Sequence, residues 1–248
     1  MDADPRPTSA ILTFHSLDRT GSVISFDPEA FRAAMEALRE AGVSVVGLRE
    51  ALRRPGSIAL TFDDAFVNFA DEAWPVLARL NLPATLFVVT GHAGGHNDWP
   101  GQPSGIPRLP LLDWPRLREL AAAGVELGAH SHTHPDLRAL APAQLIDELS
   151  LPARIIEEQT GFHPTAYAYP SGLANATVRS RTAALYEVAC GTGLGYWTGR
   201  EPLHDLPRLD AYYLRGSLGP AHALTGRGRR WIALRACARR IRELLQGR

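Results

Sequence analysis

The chain has 248 residues, of which 45% are hydrophobic and 21% are charged. That length suits one large domain, and the composition is ordinary for a globular protein. The 26 basic and 26 acidic residues give a formal net charge of zero, so no overall charge attracts the chain to nucleic acid. Two cysteines are too few for a disulfide framework.

The start of the sequence carries no targeting signal. Its first residues are polar, and the apolar run 10–14 is too short for the hydrophobic part of a signal peptide. No stretch approaches the ~20 apolar residues that a membrane span needs. The sequence as given therefore predicts a cytoplasmic protein; the alternative is a chain whose leader has been removed, which would look the same.

Short apolar runs alternate with helical patterns along the whole chain. The first run, 10–14, predicts a strand, and the amphipathic segment 28–41 predicts a helix capped by Asp27. The further predicted strands are 43–46, 57–62, 84–89, 125–129, 165–169, 187–190 and 206–209. The further predicted helices are 48–53, 71–80, 113–123, 142–159, 174–185 and 229–245.

This β–α alternation predicts a parallel sheet covered by helices. About seven β–α units without a glycine-rich nucleotide fingerprint favour a single-domain α/β barrel over a doubly wound sheet. We expect an N-terminal tail over residues 1–9, the barrel over 10–226 and a basic helix over 227–248. The segment 91–110, rich in Gly, Pro, His and Trp, predicts a long irregular loop of a kind that is usually functional or disordered.

Polar and unusual residues gather directly after the predicted strands. In a β/α barrel the carboxyl ends of all strands open on one face, where active sites lie. The sequence therefore predicts that these groups lie close together. They are residues 63–64, 130–134, 169–172 and 208–210.

Two of these groups suggest metal chemistry. Asp63 and Asp64 end an apolar strand, and three of the nine histidines lie within residues 130–134. His130 and His134 suit one helical turn, whereas His130 and His132 suit an extended segment. One carboxylate and two imidazoles form a metal site with open positions, and a second carboxylate can take a proton from water. The alternatives without a metal are a helix cap beside a solvated acid for the aspartate pair, and a polar surface turn for the histidine segment.

Three motifs together resemble a known family. They are Thr61-Phe-Asp-Asp64, His130-Ser-His-Thr-His134-Pro and Tyr169-Pro-Ser-Gly172. In order and spacing they are similar to the polysaccharide deacetylases of carbohydrate esterase family four, which share the nodulation-deacetylase homology domain. The resemblance covers roughly residues 10–210. It implies a distorted (β/α)7 barrel, a Zn²⁺-like ion and an N-acetylated sugar as substrate.

The resemblance also implies roles for individual residues. Asp63 would be the general base, and Asp64, His130 and His134 would be the metal ligands. His132 would be a neighbour of the ion and not a ligand. Zn²⁺ is the expected metal, although Co²⁺, Ni²⁺, Mn²⁺ and Fe²⁺ also suit this ligand set.

The segment Ile11-Leu-Thr-Phe-His-Ser16, followed by Ser25-Phe-Asp-Pro28 and Phe31, resembles a permuted branch of the family that includes deacetylases of exopolysaccharide poly-N-acetylglucosamine. The common arrangement has a Leu-x-x-His motif near the C-terminus that supplies the general acid. Here that spacing occurs in Leu12-Thr-Phe-His15, so His15 is the expected acid; a histidine satisfied at a strand end is the alternative.

The third motif departs from the family pattern because it lacks the arginine that holds the base. Arg208, at the end of the predicted strand 206–209, is the expected replacement, and a surface arginine is the alternative. Ser171 stands where the family has tyrosine, and the resemblance implies that its backbone N–H stabilises an oxyanion. Tyr169 in the same motif is expected at the substrate. A second departure is Ala65, where many members have glycine.

We therefore expect a metal-dependent hydrolase that removes acetyl groups from N-acetylated sugars. Trp99 and Trp197 are candidates for stacking on sugar rings or for packing. The rival hypotheses are an amidohydrolase on a non-sugar acyl amide and a non-catalytic carbohydrate-binding barrel. The basic helix 227–248 either closes the barrel with a solvated face or contacts an anionic membrane. The sequence indicates no oligomeric state.

Overall fold

Parallel strands close into a barrel that carries helices on its outside. The computed structural model describes residues 8–216 and 218–245, so residues 1–7 of the predicted tail lie outside the described residues. The strands are β1 (Ala10–Phe14), β2 (Ser16–Leu17), β3 (Ser25–Phe26), β4 (Ile58–Phe62), β5 (Thr85–Val88), β6 (Glu126–Ala129), β7 (Ala166–Ala168), β8 (Val188–Leu194) and β9 (Leu206–Asp210). The barrel order is β1-β4-β5-β6-β7-β8-β9, which confirms the predicted seven-stranded barrel.

The helices follow the predicted pattern closely. Asp27 accepts a hydrogen bond from the Ala30 N–H and caps the first helix, as its position predicts. A π-helical turn, Phe69–Ala73, occupies the start of the predicted helix 71–80. Among the described residues, no helix is both long and apolar enough to cross a membrane. The α-helices are α1 (Pro28–Glu40), α2 (Leu48–Ala51), α3 (Trp74–Leu80), α4 (Trp114–Ala122), α5 (Pro142–Thr160), α6 (Ala176–Ala183) and α7 (Gly226–Leu245).

The prediction of a strand over 43–46 is wrong. Only Val45 forms an isolated bridge, to Ile58. β1 and β4 pair directly over five residues, from Ala10 opposite Ile58 to Phe14 opposite Phe62. No position is left between them for another strand, so this apolar segment packs outside the barrel.

An aromatic cluster fixes the wall between β1, β4 and α1. The rings of Phe14 and Phe62 stack with centroids 5.2 Å apart, and Phe31 of α1 meets both of them edge-on. Phe69 meets Phe62 at 4.8 Å. Since these four side chains are almost completely buried, they hold the ends of β1 and β4 rigidly beside each other.

Candidate active site

Strand register places the first two functional side chains together. Thr13 lies opposite Thr61, and their hydroxyl oxygens are 3.1 Å apart inside the barrel. Side chains alternate along a strand, so His15 and Asp63, two residues further on, point to the same side as the threonines. The His15 Nε2 lies 3.8 Å from the Asp63 Oδ2.

A cavity of about 180 Å³ opens at this end of the barrel. Seven of the residues that line this cavity are predicted site residues, and the other lining residues come mainly from the long loop and from β8. The lining residues are His15, Ile24, Asp63, Asp64, Trp99, Gln102, Pro103, Ile106, His130, His134, Ser171, Gly172 and Thr192.

Arg208 of β9 clamps Asp63 from inside the barrel. Its two terminal nitrogens donate to both oxygens of the Asp63 carboxylate, at 2.8 and 2.7 Å. Its Nε donates to the Gly191 carbonyl at 2.9 Å, which fixes the plane of the guanidinium. Both side chains are buried, so this is a bidentate, desolvated ion pair of the kind that arginine forms best.

The pair controls the charge of Asp63. Burial by itself raises the pKa of this carboxyl, but the positive charges of Arg208, His130 and His15 outweigh burial and hold the pKa well below its ordinary value. Asp63 is therefore ionised throughout the neutral range. Each Asp63 oxygen accepts one hydrogen bond from Arg208, and each has a further lone pair that can accept another proton or hydrogen bond.

Asp64 lies beside Asp63 but has different neighbours. Its Oδ1 is 3.4 Å from the His130 Nε2 and 3.8 Å from the His134 Nε2. One ligand atom from each of these three residues lies within 4.8 Å of the other two. The Asp64 Oδ1 is buried and has no hydrogen-bond partner among the described residues. A buried carboxylate oxygen without a donor, facing two imidazoles, fits a divalent cation.

The two histidines are prepared as ligands in different ways. The His130 Nδ1 lies 2.7 Å from the Ala168 carbonyl, which can only accept, so this nitrogen carries the proton and Nε2 faces the cavity. Burial, and then the neighbouring His130, lower the pKa of His134 to about 4, so its imidazole is neutral at pH 7. The pKa of His130 is raised, because its burial is outweighed by the nearby carboxylates of Asp64 and Asp63. The negative charge that raises it is what a cation would neutralise.

The loops that hold these groups are strained. Five non-glycine residues at the site have positive φ angles between 53° and 73°. Such backbone costs about 1–2 kcal/mol per residue and persists where the surroundings impose it. Ala65 is among them, and glycine would adopt this backbone without the steric cost of a Cβ. The five are Asp64, Ala65, Ser131, His134 and Ser171.

Glu148 of α5, which lies outside all of the sequence motifs, braces the histidine loop. Its carboxylate accepts from the backbone N–H groups of His132 and Thr133 at 2.7 and 2.9 Å and from the Thr133 hydroxyl. The Ser131 hydroxyl accepts from the His134 N–H at 2.9 Å. The available signal was a charged residue on the apolar face of an amphipathic helix, beside Leu149.

The long loop supplies part of the cavity wall. The ring of Trp99 stacks on His134 with centroids 4.2 Å apart, and little of it is left exposed. On the other wall, the Gly172 φ of +68° and the Thr192 side chain leave no room for a Cβ. The loop 91–110 therefore forms part of the cavity wall.

A family model described as polysaccharide deacetylase matches residues 52–187, more than half of the chain. The chain belongs to the polysaccharide deacetylase family. The Bacillus subtilis (strain 168) protein YxkH, named as a candidate polysaccharide deacetylase, is 24% identical over 208 residues, which cover 80% of this chain and 70% of that protein. The Staphylococcus aureus (strain MSSA476) poly-beta-1,6-N-acetyl-D-glucosamine N-deacetylase is 26% identical over 128 residues. That match covers 48% of this chain and 41% of the relative, so the chain spans less than half of its length.

The fold of the deacetylase agrees with solved structures. The Streptococcus pyogenes deacetylase PplD in complex with acetate has a TM-score of 0.74 at 22% identity, and the match covers 88% of this chain and 97% of that one. The resemblance inferred from the motifs is confirmed, and so is the enzyme class, a hydrolase that removes acetyl groups. The Asp64–His130–His134 group is suited to a metal ion.

Not every predicted site residue reaches the cavity of the deacetylase. Tyr169 is completely buried, packs on Tyr167 and donates its hydroxyl to the His204 carbonyl. The prediction that it contacts substrate is wrong, because strand alternation turns its side chain into the core. Trp197 is also outside the cavity, with its Nε1 donating to the Leu52 carbonyl. His132 turns away to the Thr90 hydroxyl, 3.0 Å from its Nδ1.

Replacement of Arg208 by methionine should destabilise the deacetylase by about 3–5 kcal/mol, because the Asp63 charge is left buried without a partner. The double variant Asp63→Asn/Arg208→Met should be more stable than Arg208→Met alone, since both charges are then gone. Urea unfolding measures the difference. Arg49→Met, which breaks an exposed pair with Glu187, is the control and should cost at most about 1 kcal/mol. Equal costs for Arg208→Met and Arg49→Met would contradict the account.

The variant Glu148→Gln should bind Zn²⁺ about 10–100-fold more weakly, because the amide cannot accept from all three donors and the loop between the two histidines loosens. Competition with a chelating dye measures this affinity. Glu158→Gln, an exposed position on the same helix, is the control and should leave it unchanged. Unaltered Zn²⁺ affinity in Glu148→Gln, with an unaltered melting temperature, would remove Glu148 from the site.

Proposed function

We propose that this deacetylase hydrolyses the acetamide group of N-acetylated amino sugars and releases acetate. The observation that carries the proposal is the division between the two aspartates. Asp63 is neutralised by Arg208, whereas the Asp64 oxygen is buried without a donor and faces His130 and His134. The named activity of the Staphylococcus aureus relative supports the choice of an N-acetylated sugar.

Asp64, His130 and His134 would hold the metal. Zn²⁺ is our proposal, since one carboxylate and two neutral imidazoles form a common zinc ligand set with open positions. When bound, such an ion polarises a carbonyl and makes water a stronger nucleophile.

Asp63 is placed to take the proton of the attacking water. Both of its oxygens are held by Arg208, so the carboxylate cannot swing onto the metal, and it keeps lone pairs towards the cavity. Because its pKa lies well below the ordinary value, it is always in the form that accepts a proton. Because the Asp63 carboxylate is a weak base, its contribution to catalysis must come from its position beside the attacking water and not from a high proton affinity.

The departing amine also needs a proton, because an amine anion is a very poor leaving group. His15 lines the cavity on the side of Asp63, and its side chain is 24% exposed. We assign it as the general acid. As the carbon–nitrogen bond breaks, the electron pair stays on nitrogen, which takes the His15 proton; the water oxygen remains on the acetate.

The developing negative charge on the carbonyl oxygen requires a donor. Ser171 lies on the cavity wall in a left-handed turn, and we assign its backbone N–H to this task. One such donor is typically worth about 3–4 kcal/mol of transition-state stabilisation. Trp99 mainly supports His134, and we propose that its exposed edge bounds the sugar.

The function is tested by acetate release from N-acetylglucosamine oligomers, with N-acylated non-sugar amides in the same panel. Asp63→Asn should lower kcat by about 10²–10⁴-fold while the affinity for Zn²⁺ stays the same, since the base is lost and the ligands are not. Asp71→Asn, an exposed acid, is the control. Turnover of the non-sugar amides alone would overturn the sugar assignment. Zn²⁺ binding without turnover of any substrate would identify a non-catalytic barrel.

The acid is tested with two kinds of substrate. His15→Asn should lower kcat for an N-acetylated sugar by about 100-fold and leave an activated aryl acetate ester almost unaffected, because a phenolate leaves without a proton. Asp63→Asn should slow both substrates. A His15→Asn variant that slows both equally would show that His15 supports the site and does not protonate the leaving group.

A further inference from the structure

The helix α7 packs against the barrel with one side. On that side Ile232 is buried, and the Trp231 Nε1 donates to the Tyr213 carbonyl at 2.8 Å. Arg235 lies over the rings of Tyr213 and Trp231. Arg239 donates to the Thr192 carbonyl at 2.8 Å. The inward side is therefore anchored by Ile232 and Trp231 and by arginines that contact the barrel.

The opposite side of α7 carries an apolar stripe that nothing in the described structure covers. Leu234, Cys237, Ala238 and Ile241 are all exposed, and their spacing of three, four and seven residues places them on one face. Leu234 is 67% exposed and Ile241 is 54% exposed. We call these four residues the outer stripe of α7.

Arginines surround the outer stripe. Arg227, Arg230, Arg240 and Arg242 are exposed, and none of them pairs with a carboxylate among the described residues. Residues 226–245 contain seven arginines and a single acidic residue, although the whole chain is neutral. Positive charge is thus concentrated on the helix that carries the outer stripe.

We propose that the outer stripe of α7 binds the surface of an anionic lipid bilayer, with the helix lying in the plane of the membrane. An apolar stripe flanked by basic residues is the pattern by which interfacial helices bury one face about 5–10 Å deep beside acidic headgroups. The helix lacks the apolar character to span a membrane, so it lies on the surface.

Charge and shape favour an anionic bilayer over a second copy of the chain or a nucleic acid as the partner of the outer stripe. A second copy of the chain would bring the same unpaired arginines face to face around the stripe, and like charges repel. A nucleic acid would match the arginines but would leave Leu234 and Ile241 against phosphates. An anionic bilayer satisfies both features at once. The inference is independent of the reaction in the barrel.

The test is flotation of the full chain with phosphatidylcholine vesicles, with and without phosphatidylglycerol. The wild type should float with anionic vesicles only, and salt should weaken binding. Leu234→Glu/Ile241→Glu should weaken partitioning by at least about tenfold, because charge enters the buried stripe. Arg240→Gln/Arg242→Gln should also weaken it by about tenfold or more, because each basic residue near an acidic surface contributes about fivefold.

Matched controls use exposed residues elsewhere. Phe162→Glu/Leu203→Glu and Arg181→Gln/Arg200→Gln carry equivalent changes away from α7 and should bind vesicles as the wild type does. Absence of binding to anionic vesicles, or equal binding by the α7 variants, would overturn the proposal. So would a dimer in light scattering that Leu234→Glu/Ile241→Glu dissociates, which would identify a second copy as the occupant.

Discussion

The buried ion pair between Asp63 and Arg208 determines how the rest of the site works. Two adjacent aspartates in one small cavity would repel each other and compete for the same cation. Arg208 removes Asp63 from that competition by donating hydrogen bonds to both of its oxygens. The Asp64 Oδ1, by contrast, has no hydrogen-bond donor among the described residues. A charge buried in this way is stable only while its partner is present, so the pair also couples the site to the stability of the barrel.

Barrel closure makes this pair possible. β1 lies between β4 and β9, so residues within or directly after these three strands come together at the site. His15 follows β1, Asp63 follows β4 and Arg208 lies within β9, so residues far apart in the chain become neighbours. The register of Thr13 against Thr61 then sets which residues point inward. Backbone strain at the loop ends is the cost of turning Asp64 and His134 towards the same point.

The C-terminal helix shows a different use of arginine. In the barrel, Arg208 is desolvated and serves a single carboxylate. On α7, the inward arginines contact rings and carbonyls, while the outward ones lie beside an uncovered apolar stripe.

Much of the deacetylase was determined by the sequence alone. Periodicity of two and of 3.6 residues identified the barrel strands and most helices, because local patterns of burial decide those elements. The spacing of His130 and His134 and the adjacent aspartates indicated a metal site, because ligand chemistry restricts which side chains are suitable. Only the tertiary structure decided how the two aspartates differ, that segment 43–46 is outside the barrel, and that Tyr169 is turned into the core. It also brought Glu148 beneath the histidine loop and left the outer stripe of α7 uncovered. Each of these depends on which distant residues come into contact, and the closure of the barrel sets those contacts.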